Sequence, residues 1–290
     1  MAVEGRIPFD GWETWYRVAG EDASGHLPLL CLHGGPGSTH HYFEPVERLA
    51  EAGRRVVVYD QIGCGASSRP ADPAVFSLPF FLAELDALRD ALGLERVHLL
   101  GTSWGGMLAL EHVLARPEGV AGLVLSSTPV DSASWSREAA RLRDELPAGE
   151  RDVLAAGAPG EPEYDKAERA FERRYFHRNE PPHPAIERMR AQRGRQAYEA
   201  MWGPNEWTPT GPLRDWDVSG RLGQVESPTL VLSGRYDLCT PAIAARLTAG
   251  IPNAEHVLLE HSSHTPVLEE TERYLTAVGS FVMRVESGAS

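Results

Sequence analysis

The chain has 290 residues, 42% of them hydrophobic, enough to bury a large core in one domain or in a domain that carries an insertion. A formal net charge of -13 argues against a nucleic-acid or anionic-membrane partner, which would repel it, and favours a small or neutral substrate. No stretch approaches the ~20 apolar residues of a bilayer span, and residues 1–10 lack a signal-peptide pattern, so the expected location is the cytoplasm.

In chain order, short apolar runs rich in β-branched residues alternate with longer amphipathic stretches. The pattern predicts an α/β fold with a mostly parallel sheet flanked by helices. Predicted strands run from Leu29 to His33, Arg55 to Tyr59, Val97 to Leu100, Leu123 to Ser126, Thr229 to Ser233 and His256 to Glu260. Between the second and third, Phe81, Leu85, Leu88 and Leu92 recur at steps of three and four, one apolar helix face that ends at Gly93. From Asp131 to Asp217 the β pattern gives way to Arg/Glu-rich helical segments, such as Arg137 to Leu146 and Lys166 to Arg178, separated by Pro/Gly clusters. The expected organisation is therefore a core of residues 1–130 and 218–290 with an inserted helical cap, residues 131–217. The three cysteines, Cys31, Cys64 and Cys239, have no C-x-x-C spacing and read as packing or loop thiols.

The chemistry concentrates at predicted strand ends. Gly101-Thr102-Ser103-Trp104-Gly105-Gly106 follows one strand and precedes the helical pattern Met107, Leu110, Val113, Leu114. A G-x-S-x-G turn in that context is tight, and its glycines leave room for a strained serine whose hydroxyl stands above the sheet. A serine hydroxyl needs a base, and the base needs a partner to fix its tautomer. His264 is the candidate base, with His261 its rival; Asp237 is the candidate acid, with Asp131 the alternative. The chain order Ser, Asp, His is the one this kind of site uses. His33-Gly34-Gly35-Pro36-Gly37 follows the first strand of the run, so the amides of Gly35 and Trp104 are the candidate donors to an oxyanion. A metal reading of His261 and His264 lacks an H-E-x-x-H helix and an obvious third ligand, and no metal or other cofactor is expected.

Together, His33-Gly-Gly-Pro-Gly37, Asp60-Gln61 with Gly63-Cys64-Gly65 and Ser67, Gly101-Thr-Ser-Trp-Gly-Gly106, Gly203-Pro-Asn-Glu-Trp207, Tyr236-Asp237 and Ser263-His264 resemble the proline iminopeptidase family of α/β-hydrolases. The resemblance covers most of the chain. It implies a metal-free serine aminopeptidase that releases one N-terminal residue, often proline, from a small peptide or aminoacyl amide. It also implies that Glu206 captures the substrate ammonium, by a charge-assisted bond that sets the distance to the scissile carbonyl. Two positions depart from the family pattern: Leu238 stands where a second glutamate often follows the aspartate, and Ile62 where an arginine is common. The first departure points to a more apolar pocket, for another aminoacyl group or a bulky leaving group. Enzymes that strip an aminoacyl protecting group from a biosynthetic amide are similar too. An esterase or lactonase with the same triad, or a non-catalytic receptor on the same fold, is the alternative.

Overall fold

Strands buried on both faces are nearly all apolar, and this decides the architecture. The computed structural model describes residues 2–21, 25–157 and 159–288. Its eight strands among the described residues are β1 (Ala2–Phe9), β2 (Trp12–Ala19), β3 (Leu29–Leu32), β4 (Val56–Asp60), β5 (Val97–Thr102), β6 (Val120–Ser126), β7 (Thr229–Gly234) and β8 (Ala254–Leu259). They form one sheet in the order β1-β2-β4-β3-β5-β6-β7-β8, parallel from β4 to β8 and antiparallel at β1-β2 and β2-β4. Every residue of β3, β4, β5 and β7 is buried, whereas the edge strands β1 and β8 are largely open.

Six of the strands coincide with the runs predicted from sequence, within a few residues at each end. The hairpin β1-β2 was not among them. Its signal was Asp10-Gly11, both at positive φ (47° and 85°), the left-handed pair that a two-residue hairpin turn requires.

Helices fill the connections: α1 (Leu78–Ala91), α2 (Trp104–Ala115), α3 (Ser132–Asp144), α4 (Ala148–Ala156), α5 (Pro162–Tyr175), α6 (Pro184–Gln192), α7 (Arg195–Met201), α8 (Pro241–Gly250), α9 (Pro266–Glu269) and α10 (Thr271–Ser287). α1 buries Phe81, Leu85 and Leu88, as its spacing predicts, and starts where Ser77 Oγ accepts from the Phe80 amide. Alternate residues of each central strand serve opposite faces. Leu30, Leu32, Val57, Leu99 and Val231 join α1, α2 and α8 on one side, and Leu29, Cys31, Val58, Leu100 and Leu230 join α10 and the 3-10 helical segment His40–Ala52 on the other. Each such leucine contributes roughly 1.5–3 kcal/mol by leaving water.

Helices α3 to α7 all lie between β6 and β7. The chain enters and leaves this insertion through a narrow neck, where Asp131 and Asp217 form an isolated antiparallel bridge. Ser132 N–H donates to Trp216 O at 2.9 Å, and Val218 N–H to Val130 O at 3.2 Å. Leu142, Leu154, Tyr164, Phe171 and Trp202 of the insertion share one apolar cluster with the sheet, so the helices sit down on the ends of the parallel strands.

Candidate active site

The turn after β5 places Ser103 at φ 56° and ψ -120°. A non-glycine residue there carries on the order of 1–3 kcal/mol of strain and needs surroundings that hold it. They do so from both sides: Ser103 N–H donates to Ser126 O of β6 at 2.9 Å, and Ser103 O accepts from the amides of Gly106 and Met107. Gly105 lets α2 start this close to the sheet, since a Cβ there would lie 2.0 Å from Leu32 O.

Asp237 and His264 come from the turns after β7 and β8. These turns are stitched together by Arg235 N–H to Leu259 O at 2.9 Å and Tyr236 N–H to Ser262 O at 3.0 Å. His264 Nδ1 and Asp237 Oδ1 are 2.7 Å apart, and the Cys239 amide donates to the same oxygen at 2.7 Å. That contact selects the tautomer with its proton on Nδ1 and leaves Nε2 free to take up a proton. Glu269 and Glu270 brace the histidine loop by accepting from Ser263 N–H and His261 N–H, each at 2.8 Å. The imidazole lies between the rings of Trp135 and Phe176, with centroids 5.5 and 5.4 Å away. Burial pushes its pKa down, but the charge and hydrogen bond of Asp237, with Glu206 and Glu269 behind them, outweigh this and leave it above the ordinary 6.5.

The rivals are occupied elsewhere. His261 is exposed. Asp131 caps α3 through the Ser134 amide and pairs with Arg246 at 3.0 Å, away from the imidazole.

Gly35 sits at φ 114°, a conformation that suits glycine, in a loop pinned by the bond from Gly34 N–H to the Tyr42 hydroxyl. Neither the Gly35 N–H nor the Trp104 N–H donates to any group among the described residues. The second is one of the orphan donors that begin any helix. Ser103, His264, Gly35 and Glu206 all line one cavity. A smaller adjoining lobe shares Gly35, Ser103, Trp135 and Glu206, and is lined as well by Met107, Pro129, Trp202 and Leu213.

Glu206 is half-buried and accepts from the Tyr198 hydroxyl at 2.7 Å and from Trp135 Nε1 at 3.0 Å. Burial raises its pKa, against the lowering effect of these two bonds and of His264. Sequence reasoning missed both donors, because an aromatic residue on a helix reads as core. It also missed Glu168, which lines the larger cavity and whose carboxyl is pushed up to about 7 by burial and by the charge of Glu172.

Residues 28–271 match the family model described as the alpha/beta hydrolase fold. The proline iminopeptidase of Lactobacillus helveticus is 41% identical over 280 residues, 94% of this chain and 95% of that protein. That of Clostridium botulinum is 39% identical over 286 residues, 97% and 98% of the two chains. Among solved structures, VinJ superposes with a TM-score of 0.93 at 38% identity, covering 98% of this chain and 99% of VinJ. The proline iminopeptidase of Mycobacterium smegmatis does so with 0.88 at 37%, covering 99% and 100%. With identity of this order across almost the whole chain, the protein is a hydrolase that belongs to the proline iminopeptidase family of the α/β-hydrolase fold.

Proposed function

We propose that this enzyme removes a single N-terminal aminoacyl residue, proline or another apolar one, from a small peptide or aminoacyl amide through an acyl-enzyme on Ser103, without a cofactor. Residues 131–217 act as the cap that shapes the substrate cavity, a division supported by the Asp131–Asp217 neck. No helix among the described residues is long and apolar enough to cross a membrane. We place the reaction in the cytoplasm, a compartment that suits three unpaired cysteines.

The observation that carries this reading is Glu206, which shares both lobes with Ser103. An ammonium held there leaves room for a short apolar side chain against Met107, Pro129, Trp202 and Leu213, while the leaving group extends into the larger cavity. The lining of that cavity runs from Ser103 across Phe171 and Glu172 of α5 to Arg195 and Glu199 of α7, a path open to a leaving group bulkier than one amino acid. An aminoacyl group carried on a biosynthetic intermediate is one such substrate.

In the reaction, His264 Nε2 takes the proton of Ser103 as its oxygen attacks the carbonyl, and Asp237 stabilises the imidazolium that forms. The amides of Gly35 and Trp104 receive the oxyanion. His264 then gives its proton to the leaving nitrogen as the C–N bond breaks. Water, deprotonated by the same imidazole, adds to the acyl carbon, and the imidazolium returns that proton to Ser103 Oγ as the acyl C–O bond breaks and the free amino acid leaves.

The test is a panel of prolyl, alanyl and leucyl amides, with free and with blocked amines, beside simple esters. Free amines are cleaved and blocked ones are not. Glu206→Gln costs about 2–5 kcal/mol in kcat/KM on the free amides only, and Ser103→Ala abolishes turnover. Equal rates on free and blocked substrates would overturn the aminopeptidase reading in favour of an esterase.

A further inference from the structure

We propose that Gln61 is a positioning residue that holds the two oxyanion-binding amides at a fixed separation. It does so by bonding simultaneously to the loop that carries one and to the side chain of the residue that carries the other. The inference rests on the acyl-transfer reading above, though not on the aminoacyl preference.

Gln61 follows β4 directly and is fully buried. Its Oε1 accepts from Trp104 Nε1 at 2.8 Å, and its Nε2 donates to His33 O at 2.9 Å. The orientation of the amide is dictated by its partners, because an indole N–H can only donate and a carbonyl can only accept. The Gln61 backbone N–H donates to His33 Nε2 at 2.9 Å, which puts the ring proton on Nδ1, where it reaches Gly34 O at 2.9 Å. Burial lowers the His33 pKa to about 4, so the ring stays neutral and keeps this donor and acceptor pattern.

One chain of hydrogen bonds therefore runs from the Trp104 indole through Gln61 and His33 to Gly34, the residue before Gly35. Trp104 is held from its other side by Phe81, edge-on with centroids 5.6 Å apart. The amides of Gly35 and Trp104 lie on separate segments, the loop after β3 and the start of α2, and Gln61 is bonded to both. An oxyanion site works only if its donors are placed before charge develops, and a misplacement of about 1 Å costs on the order of a hundredfold in rate.

The test compares wild type with Gln61→Met, which makes neither side-chain bond, with Trp104→Phe, which keeps a ring but loses the indole donor, and with the double variant. Three quantities are read: the rate of Ser103 labelling by a fluorophosphonate, whose phosphoryl oxygen needs the same two amides; kcat and KM on a free-amine amide; and the melting temperature. Labelling and kcat are expected to fall about ten- to a hundredfold while KM stays within about threefold, with the double variant no slower than the slower single one. Gln61→Glu supplies the rescue. Its protonated carboxyl can make both bonds, so its labelling rate, divided by wild type at each pH, climbs as the pH is lowered.

Folded Gln61→Met that labels at the wild-type rate overturns the proposal, as does a folded Gln61→Glu whose ratio stays low at every pH at which the wild type labels. Should Gln61→Met not fold, Trp104→Phe and the Gln61→Glu ratio decide the matter alone. Labelling that depends on Gln61 in an enzyme that ignores aminoacyl amides removes the proposed substrate and leaves this role standing. A wild-type Ser103 that resists labelling removes both.

Discussion

Trp135 donates its indole N–H to Glu206 Oε2 at 3.0 Å while the same ring stands edge-on to the imidazole of His264, centroids 5.5 Å apart. One side chain of the insertion thus touches both the proposed amine anchor and the proposed base. Trp135→Phe keeps a ring beside the imidazole and removes the donor to Glu206. Burial already raises that carboxyl's pKa, and the loss of a hydrogen bond to its charged form raises it further. KM for a free-amine amide is expected to rise about tenfold near neutral pH, the scale of a hydrogen bond to a charged group. Turnover of an ester without an amine stays near wild type. Steady-state kinetics on the two substrates side by side check this, and an equal loss on both refutes it.

The second prediction concerns the His264–Asp237 contact at 2.7 Å. Because the pKa of His264 is raised, the protonated and inactive form persists above pH 6.5, and kcat/KM in the wild type should reach its acid midpoint above that value. The stabilisation that the pair gives the fold has the matching sign. It is complete below 6.5 and is lost as pH climbs through the raised value. Asp237→Asn removes the charge that raises the pKa while burial still lowers it, so the acid limb of any residual activity moves down in pH. The rate should drop by about 10⁴, since an asparagine amide favours the wrong imidazole tautomer. A pH–rate profile of both proteins measures the two effects together.

Glu84 offers a prediction about stability. It is fully buried; its Oε1 accepts from the Thr14 hydroxyl at 2.6 Å and the Ile62 amide at 2.9 Å, and its Oε2 has no partner among the described residues. Burial pushes its pKa up to about 8 from an ordinary 4.5, against the opposing pull of those two bonds. The folded state therefore holds a proton that the unfolded chain releases above 4.5, and stability declines as pH rises from 4.5 to 8. The loss between pH 5 and pH 9 is roughly 4 kcal/mol. Glu84→Gln preserves the acceptor and cannot ionise, so its urea midpoint should vary much less over that range. A midpoint that tracks wild type at every pH would show that Glu84 does not carry the effect.

The candidate site residues were legible where local sterics dominate. A strand running into a glycine-flanked serine and then a helix admits one tight turn, and Ser103 adopts it at φ 56°. Asp237 and His264 stood out as the first acid and a following imidazole after late apolar runs, and parallel strands deliver such residues to one rim of a sheet. The hairpin β1-β2 escaped because β1 is an edge strand with a single buried residue, Ile7, so its apolar pattern is weak even though Asp10-Gly11 marks the turn. Asp131 and Asp237 both follow strands, and the sequence ranks them only by position. The fold separates them by partner: Asp131 faces a helix N-terminus and Arg246, and Asp237 faces His264.

By itself the sequence determined the order of β3 to β8, the serine turn and the candidates for proton transfer, since these follow from the sterics and hydropathy of neighbouring residues. Only the tertiary structure decided what surrounds those groups: the tyrosine and tryptophan on Glu206, the two lobes that meet at Ser103, and the amide of Gln61 between His33 and Trp104. The partners of such contacts lie up to 71 positions apart in the chain. No local pattern encodes them, because a cavity is the space left over when many distant side chains have settled into place.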